Sequence, residues 1–314
     1  MENAMYQSSY ADLELVLKDD GASVEARKLT TKIFRIIGLI FTYLLLTFMG
    51  LIMIFPFYWM LLTSVKSGVE IKQLVPTFWP TMGFRFDNYA TAMAKLDFPI
   101  LIRNTLIVGI ISTLGTLVTT IMAAFAFARL EFRGKNFIFA ALMATMMIPG
   151  EMMVISNYTS VSLMGMTNGE PVGAFTAMII PFMVSIFYIY LLRQNFKQIP
   201  NELYLAAKVD GKTDWQFLWK VMVPLAMPTI TTILILKLMG TWNAYVWPNL
   251  IATGHTELYL ITNGLRESFN ATENYDEYGA QMAATVIVTL PLLLVFIFAR
   301  KYIMRGVSRA GIKG

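Results

Sequence analysis

Residues 200–224 read PNELYLAAKVDGKTDWQFLWKVMVP, a polar stretch with good helix formers that lies between two long apolar segments. The rest of the chain has the character of a membrane protein. In such a protein a short, structured, water-facing connector is a place where an outside force can act on the helical bundle. The sequence therefore directs attention to this segment, which we call the connector.

Composition places the chain in a membrane. Its 314 residues are 56% hydrophobic and 14% charged, whereas charged residues make up about a quarter of an ordinary soluble domain. Cysteine is absent and His255 is the single histidine, so the sequence offers no disulfide framework and no metal site is expected. Residues 1–30 are mixed polar and lack the apolar core of a secretory signal peptide.

Six apolar segments are long enough to cross a bilayer, which takes about 20 helical residues. Lipid offers backbone amides no hydrogen-bond partner, so each segment must be helical. We expect an all-α integral membrane protein with six transmembrane helices, near 36–62, 104–127, 136–158, 174–192, 226–250 and 280–298. The expected organisation is a flexible or weakly helical tail at 1–33, a six-helix transmembrane domain at 34–303 with the connector at 200–224, and a C-terminal tail at 304–314.

Lysine and arginine are distributed unevenly between the two sides of these spans. Of the 25 such residues, 18 share the side of the N-terminus, six lie on the other side, and Lys237 lies within a span. Because cytoplasmic loops carry the basic excess, we expect both termini and the connector of a multi-pass membrane protein to lie in the cytoplasm. The net charge of +5 then reflects topology and contact with anionic membrane lipid, and no nucleic-acid partner is expected.

The connector carries the signals of two short helices. Asn201, just after Pro200, is the expected N-cap of the first helix, and Gly211 marks its end. Asp214 is the expected cap of a second helix that starts at the membrane surface.

The first of these helices has a face that a partner could use. The pair Ala206-Ala207 lacks bulk, so another protein surface can approach closely, and Tyr204 and Leu205 supply an apolar knob of the kind a groove accepts. An amphipathic helix lying on lipid headgroups has the same composition and needs no partner. The pattern by itself leaves both interpretations open.

The connector resembles the cytoplasmic coupling loop, or EAA motif, of binding-protein-dependent ABC importers, in which an ATPase subunit grips the loop. The residues at the signature's spacings are Ala206-Ala207, Asp210-Gly211, Trp215-Gln216 and the run at 223–225. Leu205 departs from the signature, which usually has glutamate there, although Glu202 lies one turn earlier. The resemblance implies ATPase-coupling roles for Glu202, Tyr204, Leu205, Ala206, Ala207, Asp210 and Gly211.

The likeness runs from about Phe34 onward, and residues 55–66 and 241–248 resemble the first and fifth spans of the carbohydrate-uptake (maltose-type) branch. It implies a multi-pass permease subunit of the bacterial cytoplasmic (inner) membrane that transports a sugar or oligosaccharide, neutral or acidic, by alternating access. The implied partners are a second homologous permease subunit that completes a heterodimer, two ATPase subunits that carry ATP and Mg, and an extracellular solute-binding protein. The chain itself would be no enzyme and would bind no cofactor.

Residues 206–213, AAKVDGKT, satisfy a loose nucleotide-binding pattern. A true phosphate loop follows a strand, and its glycines let backbone amides wrap the phosphates. Here a helix is expected to precede the segment, and Ala206 replaces the first glycine. We reject this pattern and assign ATP hydrolysis to a separate subunit.

The fifth apolar segment supplies the candidate substrate-pathway residues, which combine aromatic faces with hydrogen-bonding groups suited to sugar rings: Lys237, Thr241, Trp242, Asn243 and Tyr245. Helix packing or an interfacial aromatic belt explains the aromatic ones as well. Lys237 requires an anion, either a carboxylate on the partner permease or an acidic sugar, unless its chain reaches the interface.

Two other transport classes stay as alternatives. A proton-coupled secondary transporter would need buried carboxylates, and Glu151 is the one acidic residue within a predicted span. An importer permease for a non-sugar solute is less compatible with the first and fifth spans. A membrane-embedded enzyme finds no support in any metal cluster, Ser/His arrangement or acid pair.

Overall fold

The computed structural model describes residues 2–269 and 275–311, and side chains over 31–269 and 277–301. This part of the chain forms helices joined by turns and contains no strand, which confirms the all-α class. The chain divides into two units, residues 1–60 and 61–314. The first unit consists of helix α1, Glu2–Ser64, which continues four residues into the second. The predicted tail is therefore helical from Glu2 onward, and residues 312–314 of the other predicted tail lie outside the described residues.

The second unit consists of helices joined by turns and irregular segments in its described part. Its α-helices are α2 Gly68–Ile71, α3 Asp87–Lys95, α4 Phe98–Arg129, α5 Lys135–Thr145, α6 Val154–Leu163, α7 Pro171–Ile179, α8 Ile186–Gln198, α9 Asn201–Val209, α10 Asp214–Phe217, α11 Val223–Trp242, α12 Val246–Ile251, α13 Ile261–Glu267 and α14 Tyr275–Gly311. Short 3-10 turns cover Gly150–Met153, Ile180–Phe182 and Thr256–Leu258, and a π-helical turn, Leu218–Met222, joins α10 to α11.

Four helical segments are long and apolar enough to cross a membrane by themselves: Thr31–Ser64, Phe98–Arg129, Asp214–Trp242 and Glu277–Lys301. Two helix pairs also qualify if each counts as one bent span, which brings the number to as many as six. The pair α5–α6 bends by 87°, and the pair α7–α8 bends by 45°. Pro149-Gly150 and Pro181 lie at these breaks, where proline removes a backbone donor and ends the regular helix.

The expected continuous fifth span at 226–250 is wrong in its second half. Helix α11 ends at Trp242, and α12 starts at Val246. The backbone amide of Asn243 donates to the Met239 and Thr241 carbonyls and closes α11. The aromatic run at 241–248 is therefore divided between a helix end, a turn and a short new helix.

The end of α4 away from the connector is held by buried polar groups. Asn104 donates its amide hydrogens to the carbonyls of Glu257, at 2.8 Å, and Tyr259, at 3.0 Å. A second buried polar group is Glu70 of α2. It is 2% exposed and accepts hydrogen bonds from Thr77 Oγ1 at 2.6 Å and from the Thr81 amide at 2.9 Å. Burial acts to raise the pKa of Glu70, but these bonds outweigh it and hold the pKa below its usual value. Loops at this end are thus fixed by specific contacts.

The other end of the unit is an apolar core that includes the connector. Fully or nearly fully buried side chains from α4, α8, α9, α10, the π-helical turn and α11 meet there, among them Ile121, Phe125, Leu192, Phe196, Ala207, Phe217, Met222 and Ala226. Because the connector contributes to this core, it is an integral part of the bundle. It is not a loose loop.

Candidate functional site

The connector folds as the sequence leads one to expect, with two corrections at its caps. Helix α9 ends before Gly211, whose φ of +73° is a left-handed conformation that glycine adopts without strain. Asn201 is the first helical residue, and it is not the N-cap. Thr213, and not Asp214, caps α10: its hydroxyl accepts from the Gln216 amide at 3.2 Å, while Gln216 Oε1 accepts from the Thr213 amide at 3.1 Å. This reciprocal capping box leaves Asp214 free for another role.

One face of α9 is exposed along its whole length. Glu202, Leu205, Ala206 and Val209 stand at i, i+3, i+4 and i+7, so they form one stripe on the helix. The Leu205 side chain is 55% exposed, and that of Val209 is 89% exposed. We call these four residues the α9 stripe. Its three apolar members form a narrow apolar surface with a carboxylate at one end.

The structure divides the alanine pair. Ala206 lies on the α9 stripe, whereas Ala207 is 6% exposed and belongs to the core with Phe217 and Leu218. The lack of bulk at Ala207 thus lets α9 approach the chain's own bundle. Only Ala206 lies where a partner surface can come close. Asp210 and Gly211 form the exposed turn that follows the stripe.

Four side chains tie α9 to α10. The Tyr204 hydroxyl donates to Asp214 Oδ1 at 2.6 Å, and Lys208 Nζ lies 2.7 Å from the same oxygen. The rings of Tyr204 and Phe217 pack with centroids 5.1 Å apart. Burial, followed by the bond to Asp214, raises the pKa of Tyr204, and the bond to Asp214 raises the pKa of Lys208. Both groups therefore keep their protons near neutral pH, and the two helices are linked by charge, hydrogen bonds and ring packing.

Arg129, the last residue of α4, connects three elements at the start of the connector. Its guanidinium donates to the Phe196 carbonyl at 2.9 Å, to the Ile199 carbonyl and to Asn201 Oδ1 at 3.2 Å. The two carbonyls belong to the end of α8 and the turn after it, where backbone acceptors lack helical donors. Arg129 thus fixes α9 to α4 and α8, and we call this set of bonds the Arg129 clamp.

The Arg129 clamp is not apparent from the sequence, in which Arg129 is one of the basic residues on the predicted cytoplasmic side. The available signal was an arginine in the last turn of a helix, a position that favours bonds to free carbonyls. The carbonyls that accept these bonds lie at the end of α8, where Phe196 is 67 residues further along the chain. The sequence pattern therefore does not identify them.

A cavity of about 540 Å³ lies between α4, α8, α11 and α12. It brings together three of the five predicted pathway residues, Lys237, Thr241 and Tyr245. Other side chains that line it were not singled out from the sequence, among them Phe182, Tyr188 and Ser112. We call this space the central cavity.

The other two pathway candidates lie elsewhere. Trp242 donates its indole hydrogen to the Val288 carbonyl of α14 at 3.2 Å. Asn243 donates to the Met239 carbonyl of its own helix at 2.9 Å. Neither lines the central cavity. Trp242 is the last residue of α11 and Asn243 caps that helix, so both lie before the break.

Lys237 reaches from α11 to the break between α7 and α8. Its Nζ donates to the Phe182 carbonyl at 3.1 Å and lies 5.8 Å from the Phe182 ring centroid. The same carbonyl accepts from Thr116 Oγ1 at 3.1 Å. A broken helix within a membrane needs such donors for the carbonyls it frees. The ammonium group therefore has a neutral partner but no anion among the described residues.

Comparison with known proteins identifies the family to which the chain belongs. Residues 115–309 match the family model of the "Binding-protein-dependent transport system inner membrane component". This match covers more than half of the chain. The chain belongs to this family. It is therefore an inner-membrane permease, a transport subunit and not an enzyme.

Curated permeases resemble the chain over nearly their full length. It is 30% identical to the diacetylchitobiose uptake system permease protein DasC of Streptomyces coelicolor over 268 residues, which are 85% of this chain and 94% of DasC. It is 29% identical to the arabinooligosaccharides transport system permease protein AraQ of Bacillus subtilis, over 85% of this chain and 92% of AraQ. It is 27% identical to the lactose transport system permease protein LacG of Rhizobium radiobacter, over 84% of this chain and 93% of LacG.

A solved structure has the same fold as this permease. It is a chain of a bacterial ABC transporter involved in the import of the acidic polysaccharide alginate, with a TM-score of 0.73. The match covers 85% of this permease and 96% of that chain at 24% sequence identity. At this identity the likeness concerns the fold alone.

Proposed function

We propose that this permease is one subunit of an ATP-driven importer that moves a sugar or oligosaccharide inward across the cytoplasmic membrane. The observation that carries the proposal is the exposed α9 stripe on a connector that is rigidly joined to the bundle. An exposed apolar face at helical spacing suits a groove on another protein. The curated relatives named for lactose, arabino-oligosaccharides and diacetylchitobiose support a carbohydrate substrate.

The proposed topology has six crossings with both termini in the cytoplasm. Each bent pair, α5–α6 and α7–α8, then counts as one crossing. The excess of lysine and arginine on the connector side supports this orientation. The proposed domain boundaries at 33 and 303 follow from the same assignment, with α9 and α10 in the cytoplasm.

The proposed assembly contains three kinds of protein partner. A second homologous permease completes the pathway, two ATPase subunits bind ATP and Mg, and an extracellular solute-binding protein delivers the sugar. This chain binds no cofactor itself. In this assembly Glu202, Tyr204, Leu205, Ala206, Ala207, Asp210 and Gly211 form the ATPase-coupling segment. Only the α9 stripe and the turn at Asp210-Gly211 face the ATPase, while Tyr204 and Ala207 hold the helix to the bundle.

Coupling works through rigid connections. When the ATPases close, they displace α9, and α10 follows because Tyr204, Lys208 and Asp214 join the two helices. The Arg129 clamp passes the same displacement to α4 and α8. These helices line the central cavity together with α11 and α12. Rigid-body rocking of the helices then opens the cavity to one side of the membrane at a time.

The substrate class follows from the central cavity. A cavity of about 540 Å³ has the size of a small-ligand site, and its aromatic side chains suit sugar rings. Lys237 adds one positive charge with no carboxylate among the described residues around it. We assign Lys237, Thr241 and Tyr245 to the pathway, with Trp242 and Asn243 beside it. The acidic substrate of the structurally similar alginate importer supports an acidic sugar as the cargo.

Loss of the charge at position 237 should affect acidic cargo selectively. In the Lys237→Met variant we expect uptake of uronate oligosaccharides to fall about tenfold or more, because a charge-assisted hydrogen bond is lost, while uptake of neutral sugars changes little. Thr116 still satisfies the Phe182 carbonyl, so the fold should persist. Initial uptake rates in cells measure the effect, and Lys237→Arg, which keeps the charge, is the control. Equal uptake of every acidic and neutral sugar by wild type and Lys237→Met would reject this role.

The dependence of uptake on ATP tests the proposed function as a whole. The assembled complex, reconstituted in vesicles with its binding protein, should take up sugar only when ATP is present on the connector side. Uptake should continue when an ionophore collapses the proton gradient. Uptake that follows the proton gradient without ATP would establish the secondary-transporter alternative, for which Glu151, at the break between α5 and α6, is the acidic residue in a span. Uptake of an amino acid or phosphate under ATP would instead reject the sugar assignment.

A further inference from the structure

A second cavity, of about 360 Å³, opens on the same end of the bundle as α9. It lies between the turn that joins α4 to α5 and the last turns of α8. The structure gives it three basic residues, one acidic residue and two phenylalanines, namely Lys135, Arg193, Lys197, Glu131, Phe132 and Phe137, together with Gly134 and Asn136. We call it the basic cavity.

Among the residues that the structure describes, its positive charge is not balanced. Lys135 Nζ donates to the Leu130 carbonyl at 2.7 Å and to Glu131 Oε1 at 3.3 Å. The Glu131 side chain is 89% exposed, so this ion pair is weak. Three cations therefore share one solvated carboxylate within the lining. An anion placed among them would remove their mutual repulsion.

Arg193 is built into the wall of this cavity. The residue is 7% exposed, its Nε donates to the Phe127 carbonyl at 3.1 Å, and its guanidinium lies 3.8 Å from the Phe139 ring centroid. Lys197 stands one helical turn further along α8 and is exposed. Like charges at i and i+4 on a helix destabilise it unless something compensates them. The fixed guanidinium and the exposed lysine together present donors of the kind that phosphate oxygens accept.

The cavity also has apolar walls at its mouth. The Phe137 side chain is 79% exposed and that of Phe132 is 40% exposed. A free phosphate ion gains nothing from these rings, whereas a lipid places its glycerol and acyl chains against them. With the proposed orientation, the cavity lies at the level of the cytoplasmic headgroups, where basic pockets between helices bind anionic lipid. We propose that the basic cavity binds the headgroup phosphate of an anionic phospholipid from the cytoplasmic leaflet.

A lipid in this position would brace the coupling region. Arg193 bonds to Phe127, two residues before the arginine of the Arg129 clamp. A phosphate held by Lys135, Arg193 and Lys197 joins the start of α5 to the end of α8 beside that clamp. The lipid is thus a structural ligand of the machinery that positions α9, and the inference rests on the proposed orientation.

Lipid retention measures this site without any transport step. The assembled complex is placed in lipid nanodiscs made of equal parts phosphatidylglycerol and phosphatidylcholine, and retained lipid is measured by native mass spectrometry. Each basic residue near an anionic surface contributes about a fivefold gain in binding. We therefore expect about fivefold weaker phosphatidylglycerol retention in Lys197→Gln and about 25-fold weaker retention in Lys135→Gln/Lys197→Gln. Phosphatidylcholine retention should not change.

The control is Lys301→Gln, which removes an exposed lysine at the cytoplasmic end of α14. It should retain phosphatidylglycerol like the wild type. Unchanged retention in the double variant overturns the proposal, and so does an equal loss in Lys301→Gln, which indicates general attraction to the surface. Displacement of the lipid by millimolar inorganic phosphate points to a free anion and also overturns it. If the double variant does not fold, Lys197→Gln at its exposed position carries the test. Lipid retention needs neither ATP nor sugar. If the transport proposal fails, uptake in vesicles changes its energy source or its substrate, while phosphatidylglycerol retention still depends on Lys135 and Lys197.

Discussion

The Leu205→Asp substitution should lower the affinity of the permease for its ATPase subunits by about 100-fold and abolish ATP-driven uptake. Leu205 lies at the middle of the α9 stripe with its side chain 55% exposed. In the proposed complex that side chain fills a groove on the ATPase. An aspartate there would bury an unpaired carboxylate, and central apolar contacts of this kind carry most of the binding energy of an interface. Co-purification of the ATPase subunits at increasing dilution measures the loss, and vesicle uptake confirms its consequence.

The matched control places the same charge on the same helix at another angle. Leu203 is 44% exposed and lies roughly 110° around α9 from the centre of the stripe, at about 100° per residue. Leu203→Asp should therefore leave ATPase binding within about threefold of the wild type. The helix-on-headgroup interpretation of the connector predicts similar effects at both positions. Wild-type ATPase affinity and transport in Leu205→Asp would rule out the α9 stripe as the coupling surface.

Arg129→Ala should uncouple ATP hydrolysis from transport. The variant loses charged hydrogen bonds to the Phe196 and Ile199 carbonyls and to Asn201, each of which contributes about 1.5–3 kcal/mol. Without them α9 can move while α4 and α8 stay behind. We expect sugar uptake to fall at least about tenfold while the ATPase subunits still bind. The number of ATP molecules hydrolysed per sugar transported should rise, which is a readout that loss of stability alone would not change.

Two further variants distinguish a role of Arg129 in positioning α9 from a role in the stability of the fold. Arg129→Lys keeps the charge but lacks the planar fork that reaches several acceptors at once, so its coupling ratio should lie between those of wild type and Arg129→Ala. Arg133→Ala removes an exposed arginine four residues away and should stay within about 0.5 kcal/mol of wild-type stability, with normal coupling. If Arg129→Ala loses uptake and ATPase activity in equal proportion, Arg129 is a structural residue and the clamp plays no part in coupling.

The connector shows which structural features the local sequence predicts correctly and which it does not. Gly211 was identified as the end of α9 because a left-handed residue after a helix favours glycine, and the structure places it there at a φ of +73°. The cap of α10 was assigned to Asp214 instead of Thr213. Both residues are good N-caps, and the choice depended on the reciprocal bond of Thr213 with Gln216 and on the ion pair of Asp214 with Lys208. Local propensity determines that a helix starts in this segment. The competition between neighbouring side chains for the free backbone amides determines at which residue it starts.

The pathway residues illustrate the opposite case. All five were placed on one continuous helix, because the segment at 226–250 is apolar throughout. The helix instead ends at Trp242. Lys237 and Thr241 of α11 share the central cavity with Tyr245, which follows the break, while the Trp242 side chain bonds to α14. Hydrophobicity reports depth in a membrane and says little about a break. A break depends on whether neighbouring helices supply partners for the freed backbone groups.

By itself, the sequence determined the membrane class, the helical character of the chain and the place of the connector. These follow from the length of apolar segments, the density of charge and the spacing of a few small residues, all of which act locally. The tertiary structure alone decided which alanine of the pair faces outward, that Arg129 joins three elements, and that three cations surround one cavity. Those outcomes depend on contacts between different helices, and in the last two cases the residues lie about 60 or more positions apart. No local pattern encodes the geometry with which separate helices meet.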